Sequence, residues 1–402
     1  MNKKNVPVYT LKKMKKLILE ILFFGLLVNL FAVGSLNQKK FVKGTVTDKT
    51  DAVRSASEQE VIDLAKAAIE FSINYKDLLG PDKELSDLAI AGVESISEEY
   101  LENASDQEKN VLMNKFLTLY GMFTETNVRA AVLKRFASGL IPADKMIAQL
   151  NVYIKSVEPA EVDPELLKTV LLTAGKIGTD ETFEILFRVS AEKNWNGLKS
   201  EAEKALTELS KPAEQKILEI ISSGNVQDCR RMFELVTKNP DVDQVFSAQI
   251  AENVLSRTIY IYENSTKVSE DLIPLQLESF GLLKNAKWTR ASNTAVRYLK
   301  NASTEYNQGM LSEENFCSII EGVTTISPIG SIQTLSGMIV VLNRQKESNE
   351  KAPSEAVLLS LINSLGEAGD KNAFDALLSV TYYEYPERVI AAARNALAKL
   401  KW

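Results

Sequence analysis

Histidine is absent from the 402-residue chain, and this absence narrows the chemistry more than any other feature of the composition. Without histidine there is no Ser-His-Asp or Cys-His catalytic set and no imidazole ligand for zinc or haem. The chain also lacks the side chain that most often acts as general base near neutral pH. The composition therefore predicts no catalytic residue, no metal site and no cofactor.

Cysteine, glycine and proline are also scarce. The two cysteines, Cys229 and Cys317, belong to no metal-binding motif; they are typical of small buried apolar residues, and whether they pair in an oxidising compartment stays open. The chain has only 18 glycines and 11 prolines, and runs of strictly alternating β-branched residues are few. This scarcity favours helix over sheet.

The charge is unevenly distributed. Residues 1–34 contain six lysines and one glutamate, so the rest of the chain holds 41 basic and 52 acidic residues and a formal charge of about −11. An acidic body repels phosphate backbones. We therefore do not expect nucleic acid to be a partner.

Residues 1–34 have the layout of a secretory signal peptide. A lysine cluster precedes an apolar run at 21–33, and small residues follow before Ser35. The apolar run is shorter than the roughly 20 residues that a membrane-spanning helix needs. This length favours cleavage of the segment and export of the body to the periplasm or another extracytoplasmic location.

An uncleaved anchor is the alternative to cleavage. In that case residues 17–33 would tether the exported body to the inner membrane, with the preceding lysines on the cytoplasmic side. The start of translation also stays open, since Met14 begins a tidier signal than Met1. Residues 35–56 are polar and aperiodic, and we predict a flexible lead-in there.

From residue 57 to 402 the pattern is helix, short break, helix. Its clearest stretch is at the C-terminus, where apolar residues recur with the spacing of one helix face. These residues are Val389, Ala392, Ala393, Ala396, Leu397 and Leu400. Pro386 stands before this helix, in a position suited to a first turn. The spacing predicts an all-α fold built from helix pairs.

The same layout occurs twice at an offset of 191 residues. Residues 174–209 align with residues 365–400 without a gap, and glycines fall on glycines. Gly175 matches Gly366 and Gly178 matches Gly369; we expect Gly366 and Gly369 to stand where a helix ends. Repeating helix pairs of this kind predict an α-solenoid.

Residues 364–401 resemble a HEAT repeat of the short, phycobilisome-lyase-like type. The matching features are Leu365-Gly366, Gly369-Asp370, Pro386, Val389, Ala392-Ala393 and Ala396-Leu397. Ile390 departs from the pattern, since the family often has arginine there. The resemblance implies a HEAT-like or armadillo-like superhelix of antiparallel helix pairs, used as a binding surface.

Aromatic residues in predicted turns are the candidates for partner contact. Tyr382, Tyr383 and Tyr385 lie in the predicted turn between the two helices of the best repeat, and Trp288 is a weaker case of the same kind. Tyrosine and tryptophan are enriched at contact surfaces. Packing in the core is the alternative interpretation of all four residues.

Three functions are compatible with the sequence. The first is a non-catalytic scaffold of the cell envelope or periplasm that holds a protein partner of unknown identity on the solenoid surface. The second is a membrane-anchored structural component of an envelope complex. The third, a lyase-like helical-repeat enzyme, is the least supported, because it needs an inward-facing carboxylate cluster that the spacing does not show.

Overall fold

The computed structural model describes residues 35–192, 195, 197–265, 269–348 and 353–401. These residues form 21 α-helices, three short 3-10 segments and no β-strand beyond one isolated bridge. The all-α prediction is thus confirmed. The signal peptide or anchor predicted at 1–34 lies outside the described residues. The chain divides after Ala213 into two compact units, which are described in turn.

The first unit consists of five consecutive helix pairs and one short extra helix, α5. Its helices are α1 (Leu36–Lys43), α2 (Val46–Arg54), α3 (Val61–Leu79), α4 (Lys83–Ser95), α5 (Glu98–Asn103), α6 (Asp106–Met122), α7 (Thr126–Ala137), α8 (Asp144–Ser156), α9 (Pro164–Ile177), α10 (Asp180–Glu192) and α11 (Lys199–Leu209). A 3-10 segment, Pro159–Glu161, precedes α9.

The second unit consists of five further pairs. Its helices are α12 (Glu214–Ser223), α13 (Val226–Thr237), α14 (Gln244–Asn264), α15 (Leu272–Asn285), α16 (Ser292–Asn307), α17 (Glu313–Ile326), α18 (Ile332–Ser348), α19 (Glu355–Ala368), α20 (Phe374–Val380) and α21 (Glu387–Ala398). The other 3-10 segments, Thr289–Ala291 and Lys371–Ala373, precede α16 and α20.

The helices stack in the order of the chain. The second helix of each pair packs against the second helix of the next, from α2 through α4, α7, α9 and α11, and from α13 through α15, α17, α19 and α21. The first helices form another layer, in which α3 packs on α6 and α8 on α10. A single pair of helices cannot bury both faces, and stacking buries a continuous apolar seam. Each unit is therefore an α-solenoid.

The repeat register of 191 residues is visible in the packing. Shifting α9 by 191 positions gives the bounds of α19. A Cβ atom added to Gly175 would lie 2.9 Å from Cα of Ala205 on α11, and one added to Gly366 would lie 2.9 Å from Cα of Ala396 on α21. Glycine is thus required at both positions because the next helix of the layer approaches closely.

Hydrogen bonds to the preceding helix of the same layer also repeat at an offset of 191 residues in their donor residues. The hydroxyl of Thr173 on α9 donates to the carbonyl of Leu133 on α7 over 3.4 Å. The hydroxyl of Ser364, the equivalent residue of α19, donates to the carbonyl of Ile320 on α17 over the same distance. The two halves of the chain therefore repeat side-chain contacts as well as helix positions.

The two matched glycines of the C-terminal repeat have different roles. Gly369 ends α19 in the left-handed conformation, with φ of 64°, as expected for a helix terminus. Gly366 lies inside α19, so the expectation that it also marks a helix end is wrong. Its lack of a side chain serves the close approach of α21.

Residues 35–56 are helical, and the prediction of a flexible lead-in is wrong. Capping boxes begin both helices, one from Ser35 to Gln38 and the other from Thr45 to Asp48. These reciprocal hydrogen bonds satisfy backbone N–H groups that a short helix otherwise leaves unpaired. Phe41 is buried, so α1 and α2 form the first pair of the stack.

Candidate interaction surface

The tyrosine turn, residues 381–386, joins α20 to α21 in the last helix pair. Tyr382 is 76% exposed. Tyr383 and Tyr385 are half-buried, and their ring centroids lie 6.2 Å apart at a tilted angle. The turn therefore presents one solvent-facing tyrosine above two partly buried ones.

Hydrogen bonds fix the tyrosine turn to α18. The hydroxyl of Tyr385 donates to Oδ1 of Asn343 over 3.0 Å, and Nδ2 of Asn343 donates to Oγ of Ser379 over 2.9 Å. Asn343 is only 3% exposed, and a buried amide contributes to stability only when its polar atoms are paired. The backbone next to Tyr382 is thus held in place by contacts within the second unit.

Tyr385 acts as a permanent hydrogen-bond donor in this arrangement. Burial, and to a smaller extent the neighbouring Tyr383, raise the pKa of Tyr385 to about 12, so its hydroxyl keeps its proton throughout the physiological pH range. Nζ of Lys346 on α18 lies 6.0 Å from the centroid of the Tyr385 ring, at the outer limit of a cation–π contact.

Trp288 follows α15 in the connection to α16 and is half-buried. Its indole Nε1 donates to Oε2 of Glu252 on α14 over 2.7 Å. The guanidinium of Arg290 lies 5.4 Å from the Trp288 ring centroid. The indole is thus held by its own unit, and one side of it is covered by a cation.

The candidate aromatic residues do not form one surface. The tyrosine turn connects two helices of the same pair, whereas Trp288 lies in a connection between successive pairs. In a stack of antiparallel pairs, connections of these two kinds lie at opposite edges. The structure thus brings Tyr382, Tyr383 and Tyr385 together and leaves Trp288 apart, and their assignment as partner contacts stays a prediction.

The two cysteines are both free. Cys229 is buried on α13, where burial raises the pKa of its thiol to about 12. Cys317 lies on α17 and is half-buried, and burial also raises its pKa. A raised pKa disfavours the thiolate, which is the reactive form. The structure therefore confirms the predicted buried position for Cys229, whereas Cys317 is only partly buried.

Acidic residues are used mainly at helix ends. Asp243 caps α14, where its Oδ1 accepts from the backbone N–H of Phe246 over 2.8 Å. Glu313 and Glu314 lie in the first turn of α17, where carboxylates stabilise the helix dipole. Across the described part of the chain, no group of three or more acidic or cysteine side chains is arranged to hold a metal ion.

Open grooves lie at the surfaces of both units. One in the first unit, of about 180 Å³, runs between α3 and α6 and includes Val111, which is exposed. One in the second unit has a volume of about 400 Å³. It is lined by Ser269, Glu270, Ile273, Pro274, Leu277, Met310, Leu311 and Asn315. We call the second one the α15–α17 groove.

One polar feature of the interior is not anticipated from the sequence. Glu305 on α16 and Gln276 on α15 are fully buried, and their side-chain polar atoms lack hydrogen-bond partners within the described ranges. A signal for Glu305 does exist, because it continues the helical spacing of Ala295, Leu299 and Ala302 on the buried face of α16. No comparable signal identifies its surroundings.

Comparison with known proteins adds little to this description. No protein-family model matches the chain, and no curated protein matches it. Among solved structures, it is similar to a circular tandem repeat protein with novel repeat topology and enhanced subunit contact surfaces. That similarity has 15% identity and a TM-score of 0.21, and covers 94% of this chain and 82% of the other.

A second similar structure comes from the computational design of self-assembling cyclic protein homooligomers. Its identity is 12% and its TM-score 0.11, with 85% of this chain and 94% of the other covered. TM-scores this low carry no argument about function. None of the described helices has the length and apolar character required to cross a bilayer.

Proposed function

We propose that this chain is a non-catalytic scaffold of the cell envelope that holds a protein partner on its helical surface. The observation that carries the proposal is Tyr382, which is 76% exposed on a turn fixed by partly buried hydrogen bonds to Asn343. A rigid, exposed aromatic side chain gives contact area at low conformational cost. The acidic body favours a protein partner over nucleic acid.

The helix pairs are further proposed to be HEAT-like. The support is the repeated contact of a glycine with an alanine two helices later, seen at Gly175 with Ala205 and at Gly366 with Ala396. Small residues at such contacts allow the tight stacking that gives solenoids a continuous side surface. A partner on this surface would contact several successive helices.

Site-specific photo-crosslinking in the native cell tests the scaffold proposal. A photoreactive residue at position 382 should give a defined adduct with one protein. The same residue at Val152, which is 67% exposed on α8 of the first unit, serves as a control for random encounter. Equal adducts at the two positions, or none at 382, would contradict the proposal.

The cellular location is a separate part of the proposal. The segment at 1–34 supports export, either with cleavage or with a retained anchor at 17–33. Mass spectrometry of the mature N-terminus together with fractionation distinguishes these forms. A soluble protein that begins at Ser35 supports the exported scaffold, whereas salt-resistant membrane association with an intact N-terminus supports the anchored structural component.

A further inference from the structure

The buried face of α16 ends in a carboxyl group. The face continues through Ala295, Leu299 and Ala302 to Glu305, which has 0% exposure. Neither Oε1 nor Oε2 of Glu305 has a hydrogen-bond partner among the residues that the structure describes. An unpaired buried carboxylate is strongly unfavourable, and a group in such surroundings takes up a proton more readily.

Other unpaired polar groups lie in the same interior of the second unit. Gln276 and Ser279 on α15 are fully buried, and neither has a side-chain hydrogen-bond partner in the described part of the chain; the same holds for the hydroxyl of Tyr298 on α16. The ring of Phe280, next to Ser279, lies 5.3 Å from that of Tyr298. Leaving a buried polar group without a hydrogen-bond partner is unfavourable.

Charged groups on the neighbouring helices are engaged elsewhere. Glu263 on α14 accepts from Asn301 over 3.3 Å and pairs with Arg297. Glu313 on α17 accepts from the hydroxyl of Tyr306 over 3.2 Å.

On α15, Glu278 pairs with Arg230 at 2.6 Å. The titratable groups that sense Glu305 are Tyr262 on α14 and Tyr298 on α16, and its charge contributes to raising the pKa of both. Neither is a counter-ion for a carboxylate. Burial accordingly raises the pKa of Glu305 to about 7, so both protonation states are accessible near neutrality.

Glu305 is connected to a surface groove through its backbone. Its carbonyl oxygen accepts from the N–H groups of Met310, over 2.9 Å, and Leu311, over 3.3 Å. Both residues line the α15–α17 groove, opposite Ile273 and Leu277. A displacement of the last turn of α16 would therefore move one wall of this groove.

We propose that Glu305 is a proton-sensitive switch of the second unit. With the proton in place, the neutral carboxyl stays inside and the turn at 308–312 remains closed against α15. When the proton is lost, the carboxylate moves towards water, the end of α16 loosens, and the α15–α17 groove widens.

Amide hydrogen exchange of the full-length protein tests the switch. The amides of Met310 and Leu311 report directly on the turn, because both donate to the Glu305 carbonyl. After correction for the intrinsic exchange rate, their protection factors should fall about tenfold between pH 6 and pH 8, since the number of protons that opening releases falls from about one at pH 6 to almost none at pH 8. In Glu305→Gln the factors should be independent of pH.

Glu314→Gln is the matched control, because Glu314 is exposed on α17; this variant should behave like the unmodified protein. Protection factors that stay constant from pH 6 to pH 8 in the unmodified protein would overturn the proposal. A ¹³C-methyl label on Met310 gives a second measurement that does not depend on folding of the Glu305 variant. Its resonance should shift with a midpoint near pH 7, and a resonance that does not move between pH 5.5 and pH 8.5 would equally overturn it.

Discussion

Single side chains of this protein contribute measurably to its free energy of unfolding, and the contribution of Glu305 changes with pH in a defined direction. Its pKa is raised from 4.5 to about 7 by burial, so the folded state binds more protons than the unfolded state between these values. Stability therefore falls as pH rises through this range. Relative to Glu305→Gln, the unmodified protein should lose about 2–3 kcal/mol of unfolding free energy between pH 5 and pH 8.

Urea denaturation at the two pH values measures this difference. The exposed Glu314 supplies the control substitution to glutamine, which should leave the pH dependence unchanged. Parallel pH profiles for the unmodified protein and Glu305→Gln would show that the carboxyl is not held neutral in the folded chain.

The tyrosine turn offers a second test of a single hydrogen bond. Tyr385→Phe removes the donor to Oδ1 of the buried Asn343, and we expect a loss of about 1–2 kcal/mol of stability because that oxygen loses its partner. Tyr382→Phe should change stability by less than about 0.5 kcal/mol, since the Tyr382 side chain is mostly exposed. Thermal denaturation compares the two variants. Equal melting temperatures would contradict the conclusion that hydrogen bonds to Asn343 hold the tyrosine turn in place.

The pairing of helix elements depends on a few small residues. Gly175→Ala and Gly366→Ala each place a Cβ within 2.9 Å of a backbone atom of the next helix, so the helices must separate. We expect each variant to lose about 1–3 kcal/mol of unfolding free energy.

Gly337→Ala on α18 is the control, because nothing lies within 4 Å of its added Cβ. It should gain about 0.5–1 kcal/mol of unfolding free energy from helix propensity. Chemical denaturation ranks the three variants, and a stable Gly366→Ala protein would rule out the close approach of α19 and α21.

At this scale the sequence is a good guide where helices are long and apolar on one face. The register of 191 residues, found over 174–209 and 365–400, extends back to α9 and α19, whose bounds differ by the same offset. Helices α1 and α2 were missed because they have only eight and nine residues and few apolar ones. Their stability comes from capping boxes and from packing on α3 and α4, which a search for periodicity does not weigh.

The candidate sites were less predictable than the helices for a related reason. The tyrosine turn could be located from the sequence because its residues are adjacent in the chain. The surroundings of Glu305 could not, since Tyr262, whose pKa is affected by the Glu305 charge, lies 43 positions before it. Only the stacking order brings α14, α15 and α16 together. The prediction that a residue is buried on one side of a helix does not identify the residues that pack against it.

The whole chain behaves as two assemblies of five helix pairs, divided after Ala213. In a stack of repeats the stability comes from each pair and its immediate neighbours, so each unit should fold without the other. Fragments 35–213 and 214–402 should each give a helical circular dichroism spectrum and unfold cooperatively. A cut at Ile177, inside the first unit, is the control and should yield fragments with lower helicity. A fragment 214–402 without a cooperative transition would show that the units depend on each other.

The correspondence of α9 with α19 provides an internal reference for future work. Any substitution in α9 has a counterpart 191 positions away in α19, a helix with matching bounds. The tyrosine turn has no such counterpart, since Tyr382 and Tyr383 correspond to Ala191 and Glu192. Matched substitutions in α9 and α19 would therefore separate what a side chain contributes to stability from what its position in the stack adds.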